Sequence, residues 1–173
     1  MVSLSEYILE IKNAVREDWT VLPLLVTVLT GFLVAILDFI FLQNLKFQAF
    51  ALVGLFLLVI GGYFRTKARL ELKKKAGFNS LAATVRLQIA ENHHLVKDGL
   101  YKYVRHPIYL GEILRNFGIV SVFSSVYGLL LIAVATGFLF FRIRKEERML
   151  IERFGEEYKE YQRTTKRIVP YIY

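Results

Sequence analysis

All three histidines of this chain, His93, His94 and His106, fall between Arg86 and Tyr109. Histidine can move protons near neutral pH, pair with carboxylates, or ligate metals. Metal ligation is not expected. His93 and His94 are adjacent, so their side chains diverge on most backbones, and neither H-x-x-x-H nor H-x-x-E spacing occurs. The chain has no cysteine. That removes thiolate nucleophiles, disulfides and Cys-ligated metal, and leaves the redox compartment unread. No G-x-S-x-G elbow and no Gly-rich phosphate loop is present.

Gly99 and Pro107 bracket a compact polar stretch, Tyr101 to Tyr109. Gly99 lets the chain turn after Asp98. Pro107 pushes His106 toward an extended conformation and suits the first turn of a helix that follows. Arg105 and His106 are thereby held at a helix entrance, where they either bind headgroups or line a site. Farther along, Glu112 and Arg115 are spaced i, i+3 and Asn116 follows. Charges in an apolar run face a protein interior or a wet cavity, or pair with each other. Arg142 and Glu146 are spaced i, i+4 where a later apolar run ends. They form either an exposed ion pair or, with His106 and Tyr109, the lining of a cavity.

Membrane helices must position these groups. The chain has 173 residues, 55% of them hydrophobic, which suits one domain with much lipid-facing surface. Long apolar runs cover about residues 20–42 and 47–64, joined by a link at 43–46 too short for anything but a hairpin. Further runs cover 108–125 and 126–141 and abut at Ser124-Ser125. Asp38 lies inside the first run, near its end, where a solvated or snorkelling carboxylate is expected over a buried one. Gly61-Gly62 reads as close helix packing. Residues 66–76 continue the second helix until Gly77, 80–90 form a surface helix, and 142–163 form one charged helix.

The net charge of +8 comes mostly from residues flanking apolar runs, which favours membrane headgroups over nucleic acid as partner. Lys and Arg number ten in 65–107, nine in 142–173 and two in 1–18. The positive-inside rule then puts both termini and the polar stretch in the cytoplasm. Residues 1–18 read as an amphipathic interfacial helix or a frayed tail, and their early acids Glu6, Glu10, Glu17 and Asp18 are unlike a cleaved signal. The expected fold is all-α: a multi-pass bundle of about four spans, with a cytoplasmic cofactor-binding segment and a C-terminal helix. The organisation is one membrane domain, 1–173, with a transmembrane hairpin at 20–64 and a catalytic region at 80–170.

H-H-L-V-K-D-G-L-Y-K-Y-V-R-H-P-I-Y-L-G, from His93, and R-I-R-K-E-E-R-M-L-I-E-R-F-G-E-E-Y-K-E-Y, from Arg142, resemble the isoprenylcysteine carboxyl methyltransferase family in order and spacing. The T-V-R-L-Q stretch at Thr84 to Gln88 fits the prokaryotic relatives of that family. The resemblance covers residues 80–170. It implies S-adenosylmethionine as cofactor, held by Gln88, His93, His94, Leu95, Val96, Tyr101, His106, Pro107, Ile108, Tyr109 and Glu146. It implies Arg142 on the substrate side, with Arg142, His106 and Tyr109 as the catalytic set. Arg105 belongs to the same signature. The implied acceptor is lipophilic or lipidated and reached from the bilayer, and a prenylcysteine-like carboxylate, an amine and a thiol all remain open. An R-H-P-x-Y-x-G-like stretch also resembles the NADPH-dependent sterol and steroid reductases. A lipid-binding relative without activity is the third reading. The oligomeric state is not legible.

Overall fold

The computed structural model describes residues 12, 16, 18–42, 48–76 and 95–169. Most of the expected interfacial helix, the 43–46 link, Gly77, the 80–90 helix and the final residues lie outside that set. Helix α1 runs Val21–Leu37 and continues as a π-helical turn, Asp38–Leu42. It is followed by α2 (Gln48–Ala76), a short 3-10 turn (Gly99–Lys102), α3 (Pro107–Val122), α4 (Val126–Phe154) and α5 (Glu156–Thr164). Among the described residues the one extended pairing is a parallel bridge between Val104 and Lys166.

Among the described residues, three helical stretches are long and apolar enough to cross a membrane: Val21–Leu42, Phe50–Lys74 and Val126–Phe154, of 22, 25 and 29 residues. Leu29, Leu33, Leu52, Phe56 and Leu130 are all exposed on them. Apolar surface on that scale suits hydrocarbon and not water. Trp19 packs against Phe141 with ring centroids 6.4 Å apart and planes tilted by 49°, where two spans leave the apolar zone, as interfacial aromatics do.

The third expected span, over 108–125, is shorter than the rest. α3 has 16 residues, about 24 Å of helix, against the ~20 residues a span ordinarily needs. It stops because Ser124 takes a left-handed φ of 51° and Ser125 starts α4, its hydroxyl accepting from the Gly128 N–H at 2.9 Å. α3 is held along α2, in the most extensive packing of the bundle. Gly54 and Gly61 on α2 face Gly118 and Gly111 on α3 in antiparallel register. A Cβ on Gly111 would come within 2.5 Å of the Arg65 nitrogen, and one on Gly118 within 2.5 Å of the Leu58 nitrogen. Backbones this close gain dispersion and weak polar contacts that bulkier side chains would prevent. Only Gly61 of the Gly61-Gly62 pair serves this packing, for Gly62 faces open space.

That same seam carries the charges that looked costly. Glu112 binds both Arg65 and Arg115, and Asn116 donates to it at 3.4 Å. The expected Glu112–Arg115 pair exists, with Arg65 added. Asp38 differs from expectation. It is 2% exposed, buried at the first residue of the π-helical turn through which the helix continues. The charged C-terminal helix also differs. α4 runs without a break from the apolar run through Arg142 to Phe154, and Gly155, with φ 55°, ends it before α5. Glycine adopts that conformation without the penalty a Cβ brings.

Candidate functional site

The site gathers at the polar end of the bundle, where the turn after Asp98, the start of α3 and the middle of α4 meet. Gly99 has a φ of 66°, and a Cβ there would lie 2.5 Å from the Glu71 carboxylate. That carboxylate accepts from the Leu100 N–H at 2.9 Å, which pins the turn to α2. Tyr101 is buried behind it. Its carbonyl accepts from the Tyr161 hydroxyl at 2.5 Å, and its own hydroxyl reaches the Ala68 carbonyl at 3.5 Å. Burial, and then the nearby Glu146 carboxylate, hold the Tyr101 phenol well above its ordinary range, so it stays a protonated donor.

The chain next pairs with its own C-terminal segment. The Arg105 N–H donates to the Lys166 carbonyl at 2.8 Å and the His106 N–H to the Arg167 carbonyl at 3.0 Å. Pro107 then opens α3 with His106 as the non-helical residue before it. This is the placement the Pro107 argument expects.

Glu147, 4% exposed, ties these pieces together. It accepts from Arg105 Nε at 2.9 Å and from Arg167 Nε at 3.0 Å. His106 Nε2 lies 3.3 Å from the same carboxylate. Because a carboxylate accepts, Nε2 carries the proton in this contact, and Nδ1 faces the other way. Nδ1 points at Glu146, 3.8 Å from Oε2. Arg105 further donates to the Gln162 carbonyl at 3.2 Å and to the Thr165 carbonyl. The imidazole is thus fixed by its surroundings, with its ring 5.7 Å from that of Tyr109.

Glu146 itself is different. Its Oε2 is buried and has no hydrogen-bond partner among the described residues. The Tyr109 hydroxyl lies close to this carboxylate. A buried carboxylate oxygen without a hydrogen bond is costly unless a ligand cation or donor meets it.

Arg142 does not pair with Glu146, as one reading of their spacing expects. The guanidinium is 2% exposed. Its Nη1 donates to Asp18 at 2.8 Å and its Nε to the Tyr109 hydroxyl at 3.1 Å. Lys145 Nζ is 3.3 Å from the other Asp18 oxygen, which also accepts from the Thr20 hydroxyl at 2.9 Å. Burial pushes the Asp18 carboxyl up. The Thr20 hydrogen bonds and the Arg142 and Lys145 cations outweigh it, and the net displacement is downward.

The structure therefore brings Tyr101, His106, Tyr109, Arg142 and Glu146 to one place. Pro107 is buried as the helix start and Ile108 half-buried behind it. Leu95 and Val96 are half-buried in the irregular stretch leading to the turn. Gln88, His93 and His94 lie outside the described residues. Asp18, Glu147 and Arg167 belong to the same network and carry no local signal, each being one charge in a charged run.

Fold and site together define an integral-membrane helical protein with a polar site at one end of its helices. The chain matches the model of the isoprenylcysteine carboxyl methyltransferase family over residues 52–152 and belongs to that family. It is 32% identical to the protein-S-isoprenylcysteine O-methyltransferase of Schizosaccharomyces pombe over 76% of its length and 54% of the yeast protein. It is 44% identical to methanethiol S-methyltransferase 1 of Bradyrhizobium diazoefficiens over 42% of its length and 25% of that protein. The structure of the eukaryotic intramembrane Ras methyltransferase superposes with a TM-score of 0.67 at 26% identity, covering 85% of this chain and 52% of that one. The chain thus spans about half the length of these relatives or less. None of these matches favours the reductase alternative.

Proposed function

We propose that the protein transfers a methyl group from S-adenosylmethionine to a lipophilic acceptor that enters from the bilayer, a prenylcysteine-like carboxylate. The observation that carries this reading is the buried Oε2 of Glu146, which has no hydrogen-bond partner among the described residues and lies 3.8 Å from His106 Nδ1. A ligand bearing an ammonium and a sulfonium fits that oxygen, as a charge-assisted donor or a close cation. Tyr101 and Tyr109 supply ring faces and hydroxyls around it, and a ring face attracts a sulfonium as it does other cations. Leu95, Val96, Pro107 and Ile108 would give the apolar walls, and Gln88, His93 and His94 the remaining contacts.

When bound, the cofactor supplies an electrophilic methyl on a cationic sulfur, and transfer to a carboxylate oxygen forms a C–O bond as the S–C bond breaks. A carboxylate is already ionised near neutral pH, so no residue must remove a proton. The work left to the chain is positioning. Arg142 would hold the acceptor carboxylate, with Tyr109 on its Nε fixing the guanidinium plane. Glu147 and Arg105 would hold the His106 ring in place. The relatives, one an isoprenylcysteine O-methyltransferase and one a methanethiol S-methyltransferase, support methyl transfer more broadly than they support one acceptor. Charge counting supports a cytoplasmic placement of this end, with both termini on that side.

Calorimetry on the purified protein in detergent tests the cofactor. Saturable S-adenosylmethionine binding is expected. Glu146→Ala and His106→Ala should each weaken it by tenfold or more, about the worth of one charge-assisted hydrogen bond in a buried site. Absence of binding in the folded wild type would overturn the reading.

A further inference from the structure

Arg142 is the group that would receive an acceptor carboxylate, yet a carboxylate of the chain already sits on it. Asp18 lies 124 residues earlier in the sequence and meets Arg142 Nη1 at 2.8 Å. Both side chains are 4% exposed or less. Asp18 also has a second cation. Lys145 Nζ stands 3.3 Å from Oδ1 and its side chain is 38% exposed, so it can follow the carboxylate. Thr20 binds Oδ1 through both its hydroxyl and its N–H. One Asp18 oxygen is therefore anchored by Thr20 and Lys145, while the other accepts from Arg142.

We infer that Asp18 is an internal stand-in for the acceptor carboxylate, which an incoming carboxylate must displace from Arg142. Two features favour this over a purely structural ion pair. A buried arginine is costly without an anion, and Asp18 supplies Arg142 with a carboxylate in the position an acceptor carboxylate would take. The split anchoring of Asp18 lets it release Arg142 and stay paired with Lys145, so neither charge is stranded during the exchange. Asp18 also lies in the turn just before the first membrane helix, its carbonyl accepting from the Val21 N–H at 3.1 Å. Acceptor binding is thereby coupled to the start of α1, and Asp18 acts as a specificity-determining competitor of carboxylates. Neutral ligands that do not seek Arg142 are untouched by it.

This rests on the proposed role of Arg142. The experiment measures binding of N-acetyl-S-farnesylcysteine and of its methyl ester, a matched anion and neutral, to detergent-solubilised wild type and Asp18→Asn. Removing the resident charge should tighten carboxylate binding by about tenfold, the worth of one charge-assisted hydrogen bond, and leave ester binding within about twofold. An unchanged carboxylate-to-ester ratio, or a weaker carboxylate in Asp18→Asn, overturns the inference. If Asp18→Asn does not survive extraction, Lys145→Ala replaces it. Loss of the fallback cation should weaken the carboxylate severalfold and spare the ester, and an unchanged ratio again refutes the idea. Cofactor binding is measured on the same samples. Failure of the methyltransferase reading appears as no S-adenosylmethionine binding in any variant. Failure of this inference appears as an unmoved ratio in protein that binds it.

Discussion

Glu147→Gln should cost far more stability than a charge count suggests. Glu147 is 5% exposed at its side chain and receives Arg105 at 2.9 Å, Arg167 at 2.8 Å and His106 at 3.3 Å. Of these, Arg105 and His106 are 8% and 3% exposed, while Arg167 is 25% exposed and partly screened. Glutamine keeps the shape and one acceptor oxygen but loses the charge that two guanidiniums share. Breaking a buried pair by removing one partner costs ~3–5 kcal/mol. The retained acceptor and the wetter Arg167 reduce this, so about 2–3 kcal/mol is expected. Equilibrium unfolding in mixed detergent and SDS micelles measures it. Glu157→Gln is the control, because its partner Lys97 is 46% exposed and Glu157 itself 53% exposed. That change should cost ~1 kcal/mol or less. If the two variants unfold alike, the buried hub is not what holds the C-terminal segment against His106.

Gly61→Ala should destabilise the α2–α3 seam by roughly 1–3 kcal/mol, because its Cβ would strike the Arg115 backbone. Gly62→Ala, one residue on, faces open space and should be neutral or slightly stabilising in the same unfolding assay. Gly99→Ala should lower the thermal midpoint in detergent, since φ is 66° and the new Cβ meets Glu71. Its cost should exceed the roughly 1–2 kcal/mol of the left-handed backbone alone, and a midpoint equal to wild type would show that the turn is not pinned as described.

Much of this was legible in the chain. Apolar runs gave the helices, and Pro107 after His106 gave the start of α3. The stretch from Tyr101 to Tyr109, together with Arg142 and Glu146, marked the site. The rest depended on contacts far apart in sequence. Asp18 looked like one acid among several ahead of a membrane helix, and nothing local pairs it with Arg142. The i, i+4 spacing of Arg142 and Glu146 was real, but a buried arginine takes the anion with the better geometry, and that was Asp18. Glu147 was adjacent to the residue singled out, yet its role needed Arg105 and Arg167 to converge from two other segments. Asp38 was misjudged because a run ending near residue 42 suggests a wet helix end. The helix instead continues through a π-helical turn, and that carboxylate is buried at its start. Gly61 and Gly62 are indistinguishable until the facing backbone of α3 is known. The third apolar run was long enough in composition, but Ser124 ends the helix after 16 residues.

The most direct measurement of the central claim follows a labelled methyl group. Membranes containing the protein are incubated with methyl-labelled S-adenosylmethionine and N-acetyl-S-farnesylcysteine, and the product is identified by mass. The account predicts a labelled methyl ester from wild type and loss of the product in Glu146→Ala at equal amounts of folded protein. Label transfer that persists undiminished in Glu146→Ala would contradict it.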